Sequence, residues 1–162
     1  MLICVSGLPG VGKTTIARKL TLDIDAVYLR IDSIEQALRN EGVRVEGEGY
    51  QVAYAVAEDN LRLGRIVITD CVNPDARTRA AWRSVAERSG VHMIDVEIVC
   101  SDPNEHKRRV ESRVADIPAH TLPTWQDVVD RDYQTWNSQR IVIDTAKQSV
   151  EQAVQIIRAA TV

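Results

Sequence analysis

The chain has 162 residues, 44% hydrophobic and 27% charged, which suits one globular domain over residues 1–162 and leaves no room for a second. Its net charge of −3 gives no general attraction to nucleic acid or an anionic membrane, although 16 of the 20 basic residues are arginines and could line a local groove. No segment is apolar over the length of a bilayer, and an apolar run starting at residue 2 leaves no space for a targeting peptide, so a cytoplasmic protein is expected.

Residues 2–5 read as a strand, and residues 7–14 follow directly as Gly-Leu-Pro-Gly-Val-Gly-Lys-Thr, completing the pattern G-x-x-x-x-G-K-[ST]. Its glycines, Gly7, Gly10 and Gly12, let the backbone turn and bring N–H groups around an anion. Leu8, Pro9 and Val11 complete the cradle, and Thr15 extends it. Lys13 is placed to reach the β- and γ-phosphates of a nucleotide, and the Thr14 hydroxyl to ligate Mg²⁺. The helix expected over 13–22 turns its positive dipole end to the same phosphates.

The second strand, 26–31, leads into Arg30-Ile31-Asp32-Ser33 and a helix over 33–40. Asp32 has two readings: acceptor of a hydroxyl proton near the γ-phosphate, or a capping box with Glu35. Residues 42–49 form a glycine-rich loop beside an acceptor pocket, and a helix follows over 50–63 with Gly64 as its stop. The third strand, 65–69, ends in Asp70, which is placed to hold Mg²⁺ or contact an acceptor. Cys71 stands where ATP-hydrolysing motors carry a water-activating glutamate, which favours transfer to a bound acceptor. Asn73-Pro74 opens a helix over 75–89 that buries Trp82, and Gly90 ends it.

The fourth strand, 92–99, precedes Asp102-Pro103-Asn104-Glu105, a capping box opening a helix over 103–115. Four residues apart, Arg109 and Arg113 would share a face and close over a transferring phosphate as part of a lid at about 103–137. Glu105 offers Arg109 a plainer partner, Lys107 can pair with Glu111, and Arg108 reads as solvated. After a loop over 115–124 come a helix over 125–137, a strand over 140–143 and a helix over 147–160. Trp125 and Trp136 read as packing residues, and His92, His106 and His120 as surface residues without metal spacing. Three cysteines, likewise without metal spacing, read as free thiols.

Strands alternating with helices argue an α/β fold with a five-stranded parallel sheet, whose ligands gather at the carboxyl ends of the strands. With residues 7–14, Arg30-Ile31-Asp32-Ser33 and Arg109-x-x-x-Arg113 in place, the chain resembles the small P-loop kinases. That group includes bacterial AAA-type ATP-binding proteins, chloramphenicol phosphotransferase, zeta toxin and the kinase domain of polynucleotide kinase. The pairs Asn73-Pro74 and Ala81-Trp82 also look like the last of these, and residues 122–146 look like the tail of the AAA-type proteins. The resemblance implies a nucleoside-kinase-like three-layer sandwich with a short helical lid, ATP and Mg²⁺ as cofactors, and Asp32 as catalytic aspartate. It also implies that the loop after Asp144 lies near the adenine. The expected activity is transfer of a phosphoryl group to a hydroxyl of a small molecule. A 5′-polynucleotide kinase and a non-transferring ATP-binding regulator or ATPase are the alternatives, and the acidic balance disfavours a polynucleotide acceptor. No Asn-Lys-x-Asp guanine-reading motif occurs.

Overall fold

Strand and helix alternate along the chain, and the side chains of a central strand point alternately to two faces, so helices must cover both. In the computed structural model, which describes residues 1–161, the strands are β1 (Leu2–Ser6), β2 (Val27–Arg30), β3 (Val67–Asp70), β4 (Met93–Val99) and β5 (Ile141–Asp144). They form one parallel sheet in the order β2-β3-β1-β4-β5. Val162, the last residue of the expected domain, lies outside the described residues. The helices are α1 (Lys13–Ile24), α2 (Ile31–Asn40), α3 (Glu48–Arg62), α4 (Ala76–Arg88), α5 (Pro103–Ser112), α6 (Trp125–Val129) and α7 (Val150–Ala159).

The two-residue period of β1 divides the core. Ile3 and Val5 pack with Ile16 and Leu20 of α1 and Val154 and Ile157 of α7. Leu2 and Cys4 pack with Ala57 and Leu61 of α3 and Trp82 and Val85 of α4. Trp82 is fully buried, as expected, and meets Tyr54 edge-on with ring centroids 4.5 Å apart. This is the three-layer α/β architecture that the sequence indicated. Because β1 lies mid-sheet, with β2 and β3 on one side of it and β4 and β5 on the other, β1 ends at a topological switch point. Register aligns Val5 with Asp70 and Asp70 with Arg30, so the end of β1 and two charged side chains arrive together.

Several boundaries differ from the pattern-based expectation for tertiary reasons. Helix α2 starts at Ile31 because that residue is drawn into the core, at 3% exposure. Asp32 therefore lies inside the first turn without a capping bond, and Glu35 pairs with Arg39 at 3.0 Å; the capping box, the plainer of the two readings of Asp32, does not form. Helix α4 is capped by Asp75, which accepts from the Thr78 amide at 2.9 Å, so Asn73 is not its start. Asn73 instead occupies a left-handed turn at φ 52°, fully buried, and donates from Nδ2 to Ser6 Oγ at 3.1 Å.

Asp102 caps α5 as expected, accepting from the amides of Asn104 at 2.9 Å and Glu105 at 3.2 Å, but the Glu105 carboxylate turns to Arg108 and Arg109. That helix ends at Ser112 and Arg113 is extended, with ψ 147°, because the chain leaves to bring Asp116 onto Arg30. Helix α6 covers only the first part of the expected 125–137 span. Beyond it the chain wraps a buried cation instead of coiling: Arg79 donates to the carbonyls of Gln134 at 2.7 Å and Thr135 at 3.3 Å, and Trp136 covers its guanidinium at 4.0 Å. The three cysteines are free; Cys4 and Cys71 are buried and Cys100 half-buried.

Candidate active site

The loop between β1 and α1 is squeezed by its neighbours, which explains its glycines. A Cβ on Gly7 (φ 145°) would lie 2.3 Å from the Ile98 carbonyl oxygen, and one on Gly10 (φ 83°) would lie 2.4 Å from Val110 Cγ2. No side chain caps α1, whose N-cap is Gly12, so the first-turn amides of Lys13, Thr14 and Thr15 face outward for an anion. Val11 is buried and Thr15 exposed. Lys13 folds back to donate to the Leu8 carbonyl at 3.0 Å. Burial lowers its pKa, against the opposing pull of Asp70 and Asp32.

Thr14 Oγ1 donates to Asp70 Oδ2 at 2.6 Å, and the Tyr28 hydroxyl donates to the same oxygen at 2.7 Å. Asp70 is 3% exposed, and burial followed by its charge pushes the Tyr28 hydroxyl's pKa up, keeping that group a donor. Two hard oxygens in contact, one a carboxylate, suit Mg²⁺. Among the described residues no group of three or more His, Cys, Asp or Glu side chains could hold a metal, and Mg²⁺ ordinarily keeps several water and phosphate ligands beside one or two carboxylates.

Asp32 stands at the cleft mouth, 47% exposed, with Arg30 Nη2 3.9 Å from its carboxylate. Arg113 enters the same cleft half-buried, with Nε buried and unpartnered among the described residues. Burial pushes its pKa down, Asp32 opposes that shift, and Arg30 adds to it. Arg109 does something different. It donates to Glu105 Oε1 at 2.7 Å, Thr145 Oγ1 at 2.8 Å and the Thr145 carbonyl at 3.1 Å, while Thr145 Oγ1 donates to the Val11 carbonyl at 2.8 Å. The shared arginine face expected from the sequence is therefore absent: Arg113 lies in the cleft, and Arg109 braces the phosphate loop through the turn after β5. Arg108 is exposed beside Glu105, and Lys107 lies 3.9 Å from Glu111, both as expected.

Other residues carry the site without a sequence signal that singled them out. His106, expected at the surface, is 7% exposed, its Nε2 2.8 Å from the Pro9 carbonyl; an acceptor there assigns the proton to Nε2. Trp125 packs edge-on against its ring at 5.2 Å. Arg30, 9% exposed, donates in a fork to Asp116, from Nη1 at 2.7 Å and Nη2 at 3.1 Å, and Arg18 adds a third bond to Asp116 at 2.8 Å. These bonds, Arg30's first, hold the Asp116 carboxyl down at about 2. Between α2, α3 and the 113–131 segment opens a cavity of about 1320 Å³, bounded by Asp32, Glu35, Tyr50, Pro74, Arg113 and His120.

A phosphate loop at a switch point, followed by a Thr14–Asp70 contact, is accompanied by a family match: the model of the AAA domain fits residues 2–132. The chain belongs to the AAA domain family. An Aeropyrum pernix protein named "Probable adenylyl-sulfate kinase" is 23% identical to this AAA domain over 175 residues, covering 97% of this chain and 90% of that protein. A structure from Chloroflexus aurantiacus, provisionally described as a kinase, superposes with a TM-score of 0.75 at 20% identity over 99% of this chain and 94% of that one. Chaetomium thermophilum Kti12, solved with ADP-AlF3, superposes with a TM-score of 0.68 at 19% identity over 100% of both chains. The AAA domain thus has a nucleotide-binding P-loop fold shared with kinases. Among its described residues no helix is long and apolar enough to cross a membrane.

Proposed function

We propose that this AAA domain is an ATP-dependent kinase that moves the γ-phosphoryl group of ATP to a hydroxyl of a polar small molecule. One observation carries the reading: Asp32 is freed from capping and stands at a cleft that also receives Arg113, whose Nε has no partner among the described residues, beside the phosphate loop. Residues 7–15 hold the phosphates through backbone amides and Lys13. Thr14 and Asp70 would hold Mg²⁺, which when bound supplies charge neutralisation at the phosphate oxygens. Asp32 accepts the proton of the acceptor hydroxyl as its oxygen bonds to the γ-phosphorus; the bond to the β-phosphate oxygen breaks and ADP departs. Arg113, on a lid comprising about residues 103–137, offsets the charge on the transferring group, and Arg109 secures the loop beneath it. The cavity beside Asp32 is where the acceptor would sit. Three free thiols accord with a cytoplasmic setting.

The test is a screen of the purified protein with γ-labelled ATP and Mg²⁺ against nucleosides, sugars, aminoglycosides, chloramphenicol-like alcohols and a 5′-hydroxyl oligonucleotide. Transfer to a small hydroxyl compound is the expected result. Asp32→Asn should lower kcat by about 10²–10⁴-fold while ATP still binds, and Lys13→Ala should abolish transfer. ATP turnover that no hydroxyl compound stimulates would replace this reading with a non-transferring ATPase. Labelling of the oligonucleotide alone would replace it with a 5′-polynucleotide kinase.

A further inference from the structure

Arg30 is a cation at the meeting point of three carboxylates carried by three different parts of the chain. Its fork is taken by Asp116 from the 113–124 segment, its Nη2 lies 3.9 Å from Asp32 Oδ2, and its Nε lies 3.9 Å from Asp70 Oδ2. That Nε is buried and has no hydrogen-bond partner among the described residues. Asp116 stands three residues after Arg113, a reach of at most ~11 Å for an extended chain. Seating Asp116 on Arg30 thereby limits how far from the cleft the Arg113 backbone can pass. The charges alternate across the site: Arg18, Asp116, Arg30, then Asp32 and Asp70.

From this arrangement we propose that Arg30 is a positioning residue: through Asp116 it latches the 113–124 segment over the cleft and so delivers Arg113 to it. For catalysis the proposal rests on the phosphotransfer reading above; the latch itself does not. Asp116 can release its partners at little cost because its carboxylate is 43% exposed, whereas Arg30, at 9%, stays with the sheet. The moving partner is therefore the loop, and the fixed partner is the end of β2. A lysine at position 30 would keep the charge and lose the fork that fits Asp116.

The experiment is a double-mutant cycle on the full chain with Arg30→Met, Asp116→Asn and their combination, read by amide hydrogen exchange across 113–124 without nucleotide. Each single change should speed exchange there by about fivefold, and the double variant should add little to either. With a working acceptor, Asp116→Asn should lower kcat about tenfold at a nearly unchanged KM for ATP, and Asp116→Glu should recover part of it. Additive effects on exchange, or none, would overturn the latch. Should Arg30→Met fail to fold, the exposed Asp116→Asn variant still decides it: unchanged exchange over 113–124 refutes the proposal, and faster exchange confined to that segment supports it. A coupled exchange result with no acceptor found would leave the latch standing and remove the kinase reading. Transfer with uncoupled exchange would do the opposite.

Discussion

The two ends of the 103–136 excursion are held differently from its middle. At one end α5 presses on the phosphate loop through two buried groups, His106 on the Pro9 carbonyl and Val110 against Gly10, and through the half-buried Arg109, which reaches Val11 by way of Thr145. At the other end Arg79, 3% exposed, gathers the carbonyls of Asn73, Pro74, Gln134 and Thr135 beneath Trp136. The middle, 113–124, has neither helix nor strand and is tied by an ion pair whose carboxylate is 43% exposed. Buried polar bonds are costly to break, and exposed ion pairs contribute little. The difference assigns pivots to the two ends and freedom to the segment between them.

Removing a pivot should therefore cost far more than cutting the tie. Arg79→Met leaves the inward carbonyls of Asn73, Gln134 and Thr135 without a donor among the described residues, while Pro74 keeps the Gln134 amide, and should destabilise the fold by about 3 kcal/mol or more, lowering Tm by roughly 10 °C in calorimetry. A shift of only a degree or two would show that the far end is not anchored there. His106→Ala comes next, at about 1–3 kcal/mol in denaturant unfolding, because it orphans the Pro9 carbonyl and opens a gap beside Trp125. His106→Gln, able to donate again, should recover part of that loss, and equal losses in the two variants would make the role one of volume alone.

The smallest effect is on pH. The folded Asp116 carboxyl, held at about 2, lies below the ordinary aspartate value of about 3.8. A depressed carboxyl contributes stability above the unfolded value and loses it as pH falls through the folded one. The tie should thus weaken between about pH 4 and pH 2, by less than about 1 kcal/mol given its exposure. The Arg79 clamp bonds to carbonyls and has no carboxylate to lose. Pepsin cleavage should accordingly speed up within 113–124 across that window while 133–136 remains protected. Simultaneous cleavage at both places would erase the contrast.

The sheet, its parallel order of strand and helix, and the phosphate loop were legible because they rest on local pattern: apolar runs, helix punctuation, and glycines where the chain must turn tightly. The placement of Asp32 and Asp70 beside the carboxyl edge of the sheet was legible, Asp70 as the last residue of β3 and Asp32 two residues past β2, although Asp32 belongs to the first turn of α2 and not to the strand. Arg109 and Arg113 were legible as a pair but not as two different groups, because helical spacing assumes a helix that tertiary bonding cuts at Ser112. Arg30, Arg79 and Asp116 bond across the fold, and no sequence period encodes that. His106 did leave a trace: it lies four residues before Val110, and these two are the buried positions of an otherwise polar helix.

The cysteines acquire a use from their depths. A thiol reacts as its thiolate, and burial pushes Cys4 well up and Cys71 to about 12, whereas Cys100 lies half open beside the Asp102 carbonyl. At neutral pH an alkylating reagent meets one reactive sulfur on the folded chain and three once the sheet parts. Because Cys71 directly follows Asp70, its labelling rate is a built-in stopwatch for exposure of the cleft floor, running in the native sequence without any added probe.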